Sequence, residues 1–294
     1  MAPYQLQGRT LFITGGASGI GAETARQAAQ RGARLALVDV DGEGAERVAA
    51  SLPGAIGIEA DVRDYDSIQA AVEKTLQEFG GIDIAMANAG IELAGTARGT
   101  SLDDIERIAD INFTGVMRTA KAALPHLIDS RGYLLITASL AAILHAPPLS
   151  HYVATKAGVE AFGHAVRMEV EHKGVAVGVA YFGFIDTPMV QRGKSDPILA
   201  EFEARNGNNA LGRTYPLTSA GSAVIRGIEA RARRVVYPRF LRGFMAIRPV
   251  MPRLLERVLA RRGVAELVDA LDARDLAQQP EAALAEQLGR GSDL

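Results

Sequence analysis

Hydrophobic residues form short continuous runs that alternate with longer stretches in which apolar and polar residues are mixed. The runs cover residues 9–14, 34–40, 55–61, 82–88, 132–139, 175–182 and, more briefly, 234–238. The mixed stretches have a helical rhythm near residues 18–31, 42–52, 64–79, 101–129 and 150–173. Continuous apolar runs separated by helices are typical of parallel strands buried on both faces. The pattern therefore predicts an α/β protein with a doubly wound parallel sheet.

Length and composition place the chain among ordinary folded proteins. Its 294 residues suffice for one large domain, alone or with a small appendage, and 48% hydrophobic and 22% charged residues are usual for such a protein. The absence of cysteine excludes disulfides, thiolate metal sites and a cysteine nucleophile. The N-terminus lacks the pattern of a signal peptide, and no apolar run reaches the ~18 residues that span a membrane. We therefore expect a cytoplasmic protein.

Charge is distributed unevenly, although the net charge is only −2. Residues 231–262 carry ten arginines and a single acid, whereas residues 263–294 are acidic. We accordingly predict one domain over residues 1–238 and a C-terminal extension over residues 239–294, which begins arginine-rich and apolar and ends as an acidic tail.

Residues 239–262 permit several interpretations. The segment could form a subunit interface, a flap over a substrate cleft, or a contact with an anionic membrane surface. Pro249 and Pro252 spoil a long surface helix, which favours the interface or the flap. Nucleic-acid binding is a weaker interpretation, because no aromatic stacking platform accompanies the arginines.

A glycine-rich loop, "TGGASGIG" over residues 14–21, joins the first predicted strand to the first predicted helix. Gly15, Gly19 and Gly21 allow a tight turn and a close approach to a ligand. The helix that follows directs its free N–H groups and its positive dipole end at this place, which suits a pyrophosphate. The loop predicts nucleotide binding, and the alternative is a glycine turn that binds nothing.

Asp39 ends the second apolar run, where a carboxylate can accept hydrogen bonds from the two hydroxyls of an adenosine ribose. A 2′-phosphate would need a nearby cation, but Ser18 and Val40 occupy the two places that could supply one. This favours NAD over NADP. In the alternative, Asp39 only caps the next helix, a task that Asp41 could also perform.

Several short motifs occur in a characteristic order along residues 8–237. They are "TGGASGIG" (14–21), "ADV" (60–62), "NAG" (88–90), "IN" (111–112), "TAS" (137–139), "YVATK" (152–156) and "GFIDT" (183–187). Through this ordered set the chain resembles the short-chain dehydrogenase/reductases. The resemblance implies a Rossmann fold of seven parallel strands with helices on both faces. It also implies hydride exchange between a nicotinamide and an alcohol or carbonyl, and a homo-oligomer, either a dimer or a tetramer.

The resemblance implies four catalytic residues. Ser139 would polarise the substrate oxygen, Tyr152 would be the acid/base, and Asn112 would hold a proton-relay water. Lys156 would bind the nicotinamide ribose and lower the pKa of Tyr152. The chemistry is consistent with this set, because a free tyrosine titrates near ~10 and needs nearby positive charge to act as a base.

The resemblance also implies a cofactor-binding set. It comprises Gly15, Ser18, Gly19, Ile20, Gly21, Asp39, Asp61, Val62, Asn88, Ala89, Gly90, Tyr152, Lys156, Gly183, Ile185 and Thr187. Asp61 and Val62 would hold the adenine, residues 88–90 would line the cofactor trough, and Thr187 would touch the carboxamide. One departure is Phe182, which stands where the family usually has proline and could keep the trough apolar. The spacing of His, Asp and Glu residues indicates no metal site.

The substrate pocket is expected between residues 90–93, 140–149 and 184–211. Its apolar candidates are Leu140, Ile143, Leu144, Leu149, Phe184, Met189, Ile198 and Phe202, about half of which could be plain core. Glu92 and His145 are the few polar candidates. Such a wall suits a small lipophilic substrate, namely a secondary alcohol or its ketone of steroid-like, fused-ring or aromatic type.

Two other functions remain open. The chain could be a catalytically idle NAD-binding sensor or scaffold, which the complete Ser139, Asn112, Tyr152 and Lys156 set disfavours. It could also be an NAD-dependent isomerase or dehydratase, in which the hydride leaves and returns. His145 and His151 flank the site, and a surface or packing role is expected of each.

Overall fold

The computed structural model describes residues 4–206, 212–248, 257 and 263–277. Its strands are β1 (Thr10–Thr14), β2 (Arg34–Asp39), β3 (Ala55–Glu59), β4 (Ile84–Ala87), β5 (Tyr133–Thr137), β6 (Ala176–Phe182) and β7 (Arg234–Tyr237). They form one parallel sheet in the order β3-β2-β1-β4-β5-β6-β7. Each strand begins and ends within two residues of its predicted apolar run. The predicted doubly wound α/β fold is confirmed.

Helices cover both faces of the sheet. They are α1 (Gly19–Ala29), α2 (Gly42–Ala50), α3 (Tyr65–Phe79), α4 (Leu102–Ala109), α5 (Gly115–Ser130), α6 (Ser150–Val170), α7 (Pro188–Lys194), α8 (Pro197–Asn206), α9 (Leu217–Glu229), α10 (Arg242–Ala246) and α11 (Val264–Ala277). One apolar core lies between the sheet and α3, α5 and α6, and the other between the sheet and α1, α2 and α9. The strands are therefore buried from both sides, which explains their continuous apolar sequences.

The order of the strands reverses between β1 and β4. The chain moves outward from β1 to β3, returns to the middle at β4, and then continues outward to β7. In such sheets a crevice opens beyond the carboxyl ends of the strands at the reversal. The glycine loop after β1 and the residues after β4 and β5 meet at this edge.

The helix predicted over residues 101–129 is divided into three parts. A π-helical turn at Asp110–Thr114 separates α4 from α5, and Asn112 lies fully buried within it. The sequence rhythm did not indicate this interruption, because one π turn barely disturbs a helical pattern. Single π turns are frequent at functional sites.

The described part of the C-terminal extension packs on the domain that precedes it. Leu241 is fully buried, and Phe244 and Met245 pack against the core on the α6 side. Farther along, α11 packs against α8. Pro249, Pro252 and the acidic tail after residue 277 lie outside the described residues. Within the described ranges, no helix has both the length and the apolar character needed to cross a membrane.

Candidate active site

The glycine loop folds tightly against the end of β4. Gly15 has a φ of +69°, and a Cβ added there would lie 2.9 Å from the Ala89 Cα atom. A Cβ added at Gly21 would collide with the carbonyl oxygen of Gly15. Both positions therefore require glycine, which explains the predicted motif on steric grounds.

The N-terminus of α1 presents free hydrogen-bond donors at this loop. Ser18 makes no capping hydrogen bond with its side chain, and the first backbone bond of the helix runs from Ala22 N to Ser18 O at 3.1 Å. The N–H groups of Gly19, Ile20 and Gly21 consequently have no acceptor within the described structure. This arrangement of donors fits a pyrophosphate group.

Asp39 lies beside the glycine loop at the carboxyl end of β2. Its carboxylate accepts hydrogen bonds from Ala17 N at 3.0 Å and from Asp41 N at 3.1 Å. The cap of α2 is Asp41, which accepts from Gly44 N at 2.8 Å. Asp39 is therefore not the helix cap of the alternative interpretation, and its contact with an adenosine ribose stays a prediction. The side chain of Val40 next to it is 66% exposed.

Asp61 and Val62 follow β3, as predicted for the adenine side. Arg63 donates to one Asp61 carboxylate oxygen from Nε at 2.8 Å and from Nη2 at 2.6 Å, and this hydrogen bonding lowers the pKa of Asp61. Val62 is buried and packs against Gly115. Asp61 is thus held ionised by a partner that the sequence analysis did not consider.

Asn88 ties the end of β4 to the glycine loop. Its Nδ2 atom donates to the carbonyl oxygens of Thr14 and Gly15, both at 3.2 Å, and its Oδ1 atom accepts from Thr137 at 3.3 Å. A Cβ added at Gly90 would lie 3.1 Å from Asn112 Oδ1 and 3.5 Å from Lys156 Nζ. The residues after β4 therefore separate the glycine loop from the predicted catalytic set.

Asn112 positions the chain after β4. Its Oδ1 atom accepts from Ile91 N and its Nδ2 atom donates to Ile91 O, each at 2.8 Å. Both polar groups of this buried side chain are thus bonded to backbone. The water-relay role implied by the resemblance stays a prediction, and the observed contacts give Asn112 a positioning role.

Ser139, Tyr152 and Lys156 converge beyond the end of β5. Ser139 precedes a 3₁₀ turn, where its Oγ atom accepts from Ala141 N at 3.1 Å, and its side chain lies near enough to Tyr152 to influence the protonation of the phenol. Tyr152 lies in the first turn of α6, and the Lys156 Nζ atom is 5.5 Å from the centre of its ring. Lys156 also donates to Thr137 O at 3.1 Å. The three side chains form one cluster, as predicted.

Burial controls the protonation of this cluster. Burial raises the pKa of Tyr152, the Glu92 carboxylate raises it further, and the hydrogen bond from Ser139 opposes both. Burial likewise lowers the pKa of Lys156 to about 8, against the opposing effect of Glu92. The net effect of these surroundings raises the pKa of Tyr152, because removing the phenolate from water outweighs its favourable contact, and the effect of Lys156 on that pKa stays a prediction.

The segment after β6 closes the opposite side of the crevice. Thr187 accepts from Val190 N at 3.3 Å as the cap of α7, and a Cβ added at Gly19 would lie 3.5 Å from its methyl group. Gly183 donates its N–H to Tyr237 O at 3.0 Å. Ile185 is a core residue on the α1 and α9 side, so only its backbone is available to a cofactor. Phe182 is also buried in that core rather than in the trough.

The proposed pocket residues divide into two groups, as the alternative interpretation allowed. Leu140, Ile143 and Leu144 are buried in the α6-side core. The half-buried group, which is available to line a cleft, comprises Leu149, Phe184, Met189, Ile198 and Phe202. His145 is exposed, and its Nε2 atom lies 3.4 Å from Ala142 O. The described residues contain no cluster of His, Asp or Glu that could hold a metal ion.

An arginine from the C-terminal extension reaches the catalytic helix. Arg248 donates to Glu160 Oε1 at 2.9 Å from Nη1 and to Ala142 O at 3.0 Å from Nη2. Glu160 is buried on α6, one turn after Lys156, and also accepts from Tyr181 at 2.9 Å. The sequence analysis recognised the arginine-rich stretch but missed this contact, because the partner lies 88 residues away.

Comparisons with known proteins agree with this arrangement. Residues 9–197 match the family described as short chain dehydrogenase. The chain is 34% identical over 218 residues to the cis-4-hydroxycyclohexanecarboxylate dehydrogenase of Sinomonas cyclohexanicum, covering 72% of this chain and 87% of that one. It is 31% identical over 199 residues to 3beta-hydroxysteroid dehydrogenase 1 of Eggerthella lenta, covering 65% and 76%.

A solved structure shows the same fold. The crystal structure of a 3-ketoacyl-(acyl-carrier-protein) reductase from Brucella melitensis, complexed with NADH, superposes with a TM-score of 0.70 at 26% identity. The superposition covers 79% of this chain and 97% of the reductase. The matched family profile, the similar relatives and the shared fold establish that the chain belongs to the short chain dehydrogenases.

Proposed function

We propose that the protein is an NAD-dependent oxidoreductase that transfers hydride between the nicotinamide and a lipophilic secondary alcohol or its ketone. The observation that carries this proposal is the cluster of Ser139, Tyr152 and Lys156 beside the crevice at the strand reversal. A serine hydroxyl, a phenol and an ammonium group are what proton transfer at an alcohol oxygen requires.

Each residue of the cluster would have a separate role in the reaction. The Ser139 hydroxyl binds the substrate oxygen, and the Tyr152 phenolate accepts the hydroxyl proton as hydride leaves the carbon. Lys156 favours that phenolate with its positive charge. NAD, when bound, supplies the hydride acceptor. The described N–H groups of α1 would hold its pyrophosphate, and Asp39 would hold its adenosine ribose.

The preference for NAD is supported by charge near Asp39. Its carboxylate would repel a 2′-phosphate, and Val40 provides no cation beside it. The similar reductase from Brucella melitensis was crystallised with NADH. Each of these observations favours the unphosphorylated dinucleotide.

The substrate class is supported by the half-buried apolar side chains around the crevice and by the names of two relatives. Those relatives are named for a 3beta-hydroxysteroid and for cis-4-hydroxycyclohexanecarboxylate, each of which includes a hydroxyl group on a ring system. Apolar walls with few polar groups suit such molecules.

A panel of lipophilic secondary alcohols with NAD, followed through the absorbance of NADH, tests the function. We expect at least one cyclic alcohol to reduce NAD, and the reaction to be absent from Tyr152→Phe. Tight NAD binding without any turnover would instead indicate an idle sensor or scaffold. Conversion of a substrate without net NADH would indicate an isomerase or dehydratase.

A further inference from the structure

Glu92 is held in place on both sides by residues of the active site. Its predecessor Ile91 has both backbone groups bonded to Asn112 at 2.8 Å. Its successor Leu93 has its carbonyl oxygen 2.7 Å from the Nε2 atom of His151, which immediately precedes Tyr152. The backbone around Glu92 is therefore held on one side by Asn112 of the π-helical turn. On the other side it is held by His151 of α6, the helix that also carries Tyr152.

The carboxylate of Glu92 lies at the edge of the cleft, between the chain after β4 and α7, and has no partner there among the described residues. Within the described structure it forms no hydrogen bond and no ion pair, yet it influences the protonation of both Tyr152 and Lys156. On its other side it faces α7, where its Oε1 atom would lie 3.7 Å from a Cβ added at Gly193. Half-buried carboxylates are costly unless a donor satisfies them. No described residue supplies that donor, so solvent or a molecule bound in the cleft would supply it.

We propose that Glu92 is the polar anchor of the substrate cleft, and that the preferred substrate is a secondary alcohol that bears a second hydroxyl group. The second hydroxyl donates a hydrogen bond to the Glu92 carboxylate, while the reacting hydroxyl is bound by Ser139 and Tyr152. This inference rests on the proposed function and adds to it the group that selects among lipophilic alcohols.

Electrostatics favours a neutral donor over a charged one. An ammonium substituent would enter a cleft that already contains the positive charge of Lys156. A carboxylate substituent would approach the negative charge of Glu92, and like charges in a partly buried site repel strongly. A hydroxyl group avoids both penalties and still satisfies the carboxylate. Cyclic diols are therefore the matched class for this chain, and hydroxy acids are the mismatched class, in contrast to the relative named for cis-4-hydroxycyclohexanecarboxylate.

The test compares four cyclohexane substrates with NAD. They are cyclohexanol, the 1,2- and 1,4-cyclohexanediols, and 4-hydroxycyclohexanecarboxylate. For the wild-type protein we expect kcat/KM to be about 10- to 100-fold higher for the better diol than for cyclohexanol, as for one hydrogen bond to a charged group. The hydroxy acid should be the poorest of the four.

Variants of Glu92 test whether its carboxylate causes the preference for diols. In Glu92→Leu the ratio of diol to cyclohexanol should collapse to about one, because the acceptor is gone. In Glu92→Gln the amide oxygen still accepts, so part of the ratio should remain, and the hydroxy acid should improve relative to cyclohexanol. Glu169→Gln on the exposed side of α6 is the matched control and should leave all ratios unchanged. Melting curves establish that each variant is folded.

A binding measurement separates this inference from the proposed function. The diols and cyclohexanol are titrated into the protein–NADH complex, and the fluorescence of NADH reports their binding without turnover. Tighter binding of a diol that is lost in Glu92→Leu supports the anchor even if no alcohol is oxidised. Equal affinities for diol and cyclohexanol, or a diol preference that survives in Glu92→Leu, would overturn it.

Discussion

At the scale of single residues, opposing influences act on the Tyr152 hydroxyl. Burial and the Glu92 carboxylate raise its pKa, and the hydrogen bond from Ser139 lowers it. In the protein alone the phenol therefore keeps its proton. Base catalysis then depends on positive charge close to the ring, of which Lys156 supplies the protein's part.

Replacing Tyr152 with phenylalanine should remove proton transfer and little else. The phenyl ring preserves the packing in the first turn of α6, and only the reacting oxygen is lost. We expect kcat to fall by about 100- to 10,000-fold, with NAD affinity within a few-fold of wild type. Steady-state kinetics and NAD titration measure the two effects, with Tyr65→Phe as a control outside the site. Near-normal turnover would contradict the assigned role.

Replacing Glu92 with glutamine should shift the pH dependence of activity. Its negative charge raises the pKa of Tyr152 and opposes the lowering of the pKa of Lys156. Glu92→Gln removes that charge, so both pKa values should fall. We expect both limbs of the kcat/KM profile for cyclohexanol oxidation to move to lower pH. Limbs that stay in place, or move to higher pH, would show that Glu92 does not act on this pair.

The dinucleotide preference should depend on two neighbouring residues. Asp39→Ala removes a repulsion of the 2′-phosphate, and Val40→Arg supplies a cation at a side chain that is already 66% exposed. The double variant should narrow or reverse the preference for NAD, measured as the ratio of dissociation constants for NADH and NADPH. A wild-type protein that binds NADPH more tightly would refute the interpretation of Asp39.

At the scale of elements, the segment after β7 is joined to α6 and to the turn after Ser139. Arg248 makes both connections, through Glu160 and through the carbonyl oxygen of Ala142. The Glu160 carboxylate is buried, whereas solvent reaches the Arg248 guanidinium. Loss of the pair therefore costs more free energy at Glu160 than at Arg248.

Arg248→Ala should destabilise the protein and disturb the turn that positions Ser139. We expect a loss of about 2 kcal/mol of unfolding free energy, less than for a fully buried pair because solvent reaches the arginine. Arg248→Lys should restore part of it. The control is Arg233→Ala, which removes an exposed pair with Glu171 and should cost at most about 1 kcal/mol. Equal effects of the two alanine variants in denaturant unfolding would contradict a special role for Arg248.

At the scale of the whole molecule, the C-terminal extension contacts three segments that border the predicted cleft. Arg248 reaches the wall after β5, while α11 bonds to Thr96 through Asp272 and to Asp196 through Arg274. Thr96 lies between β4 and α4, and Asp196 lies between α7 and α8. The extension thus links segments that are far apart in sequence.

Truncation after Pro238 should therefore change both the stability of the protein and its binding of substrate. It removes the buried Leu241, the Arg248 contacts and α11. We expect a lower melting temperature and a changed KM for a bulky alcohol, and light scattering will show whether the predicted homo-oligomer also changes its mass. Truncation after Ala277 is the control and should leave the melting temperature and KM close to wild type. If the chain truncated after Pro238 matches wild type in melting temperature, KM and mass, the extension supports neither the cleft nor the oligomer.

The sequence by itself determined the sheet, the glycine loop and the candidate catalytic side chains. Strands that are buried on both faces need continuous apolar runs, and steric contacts at Gly15 and Gly21 admit only glycine. These requirements act on neighbouring residues, so the sequence records them directly. The cluster of Ser139, Tyr152 and Lys156 followed because parallel strands bring their carboxyl ends to one edge.

Only the tertiary structure decided how that cluster is held and how it ionises. The contact of Arg248 with Glu160 joins positions 88 residues apart, and that of His151 with Leu93 joins positions 58 apart. No local sequence pattern predicts such pairs, because they depend on the path of the whole chain. The raised pKa of Tyr152 is likewise a consequence of burial, which arises only when every surrounding element has excluded water.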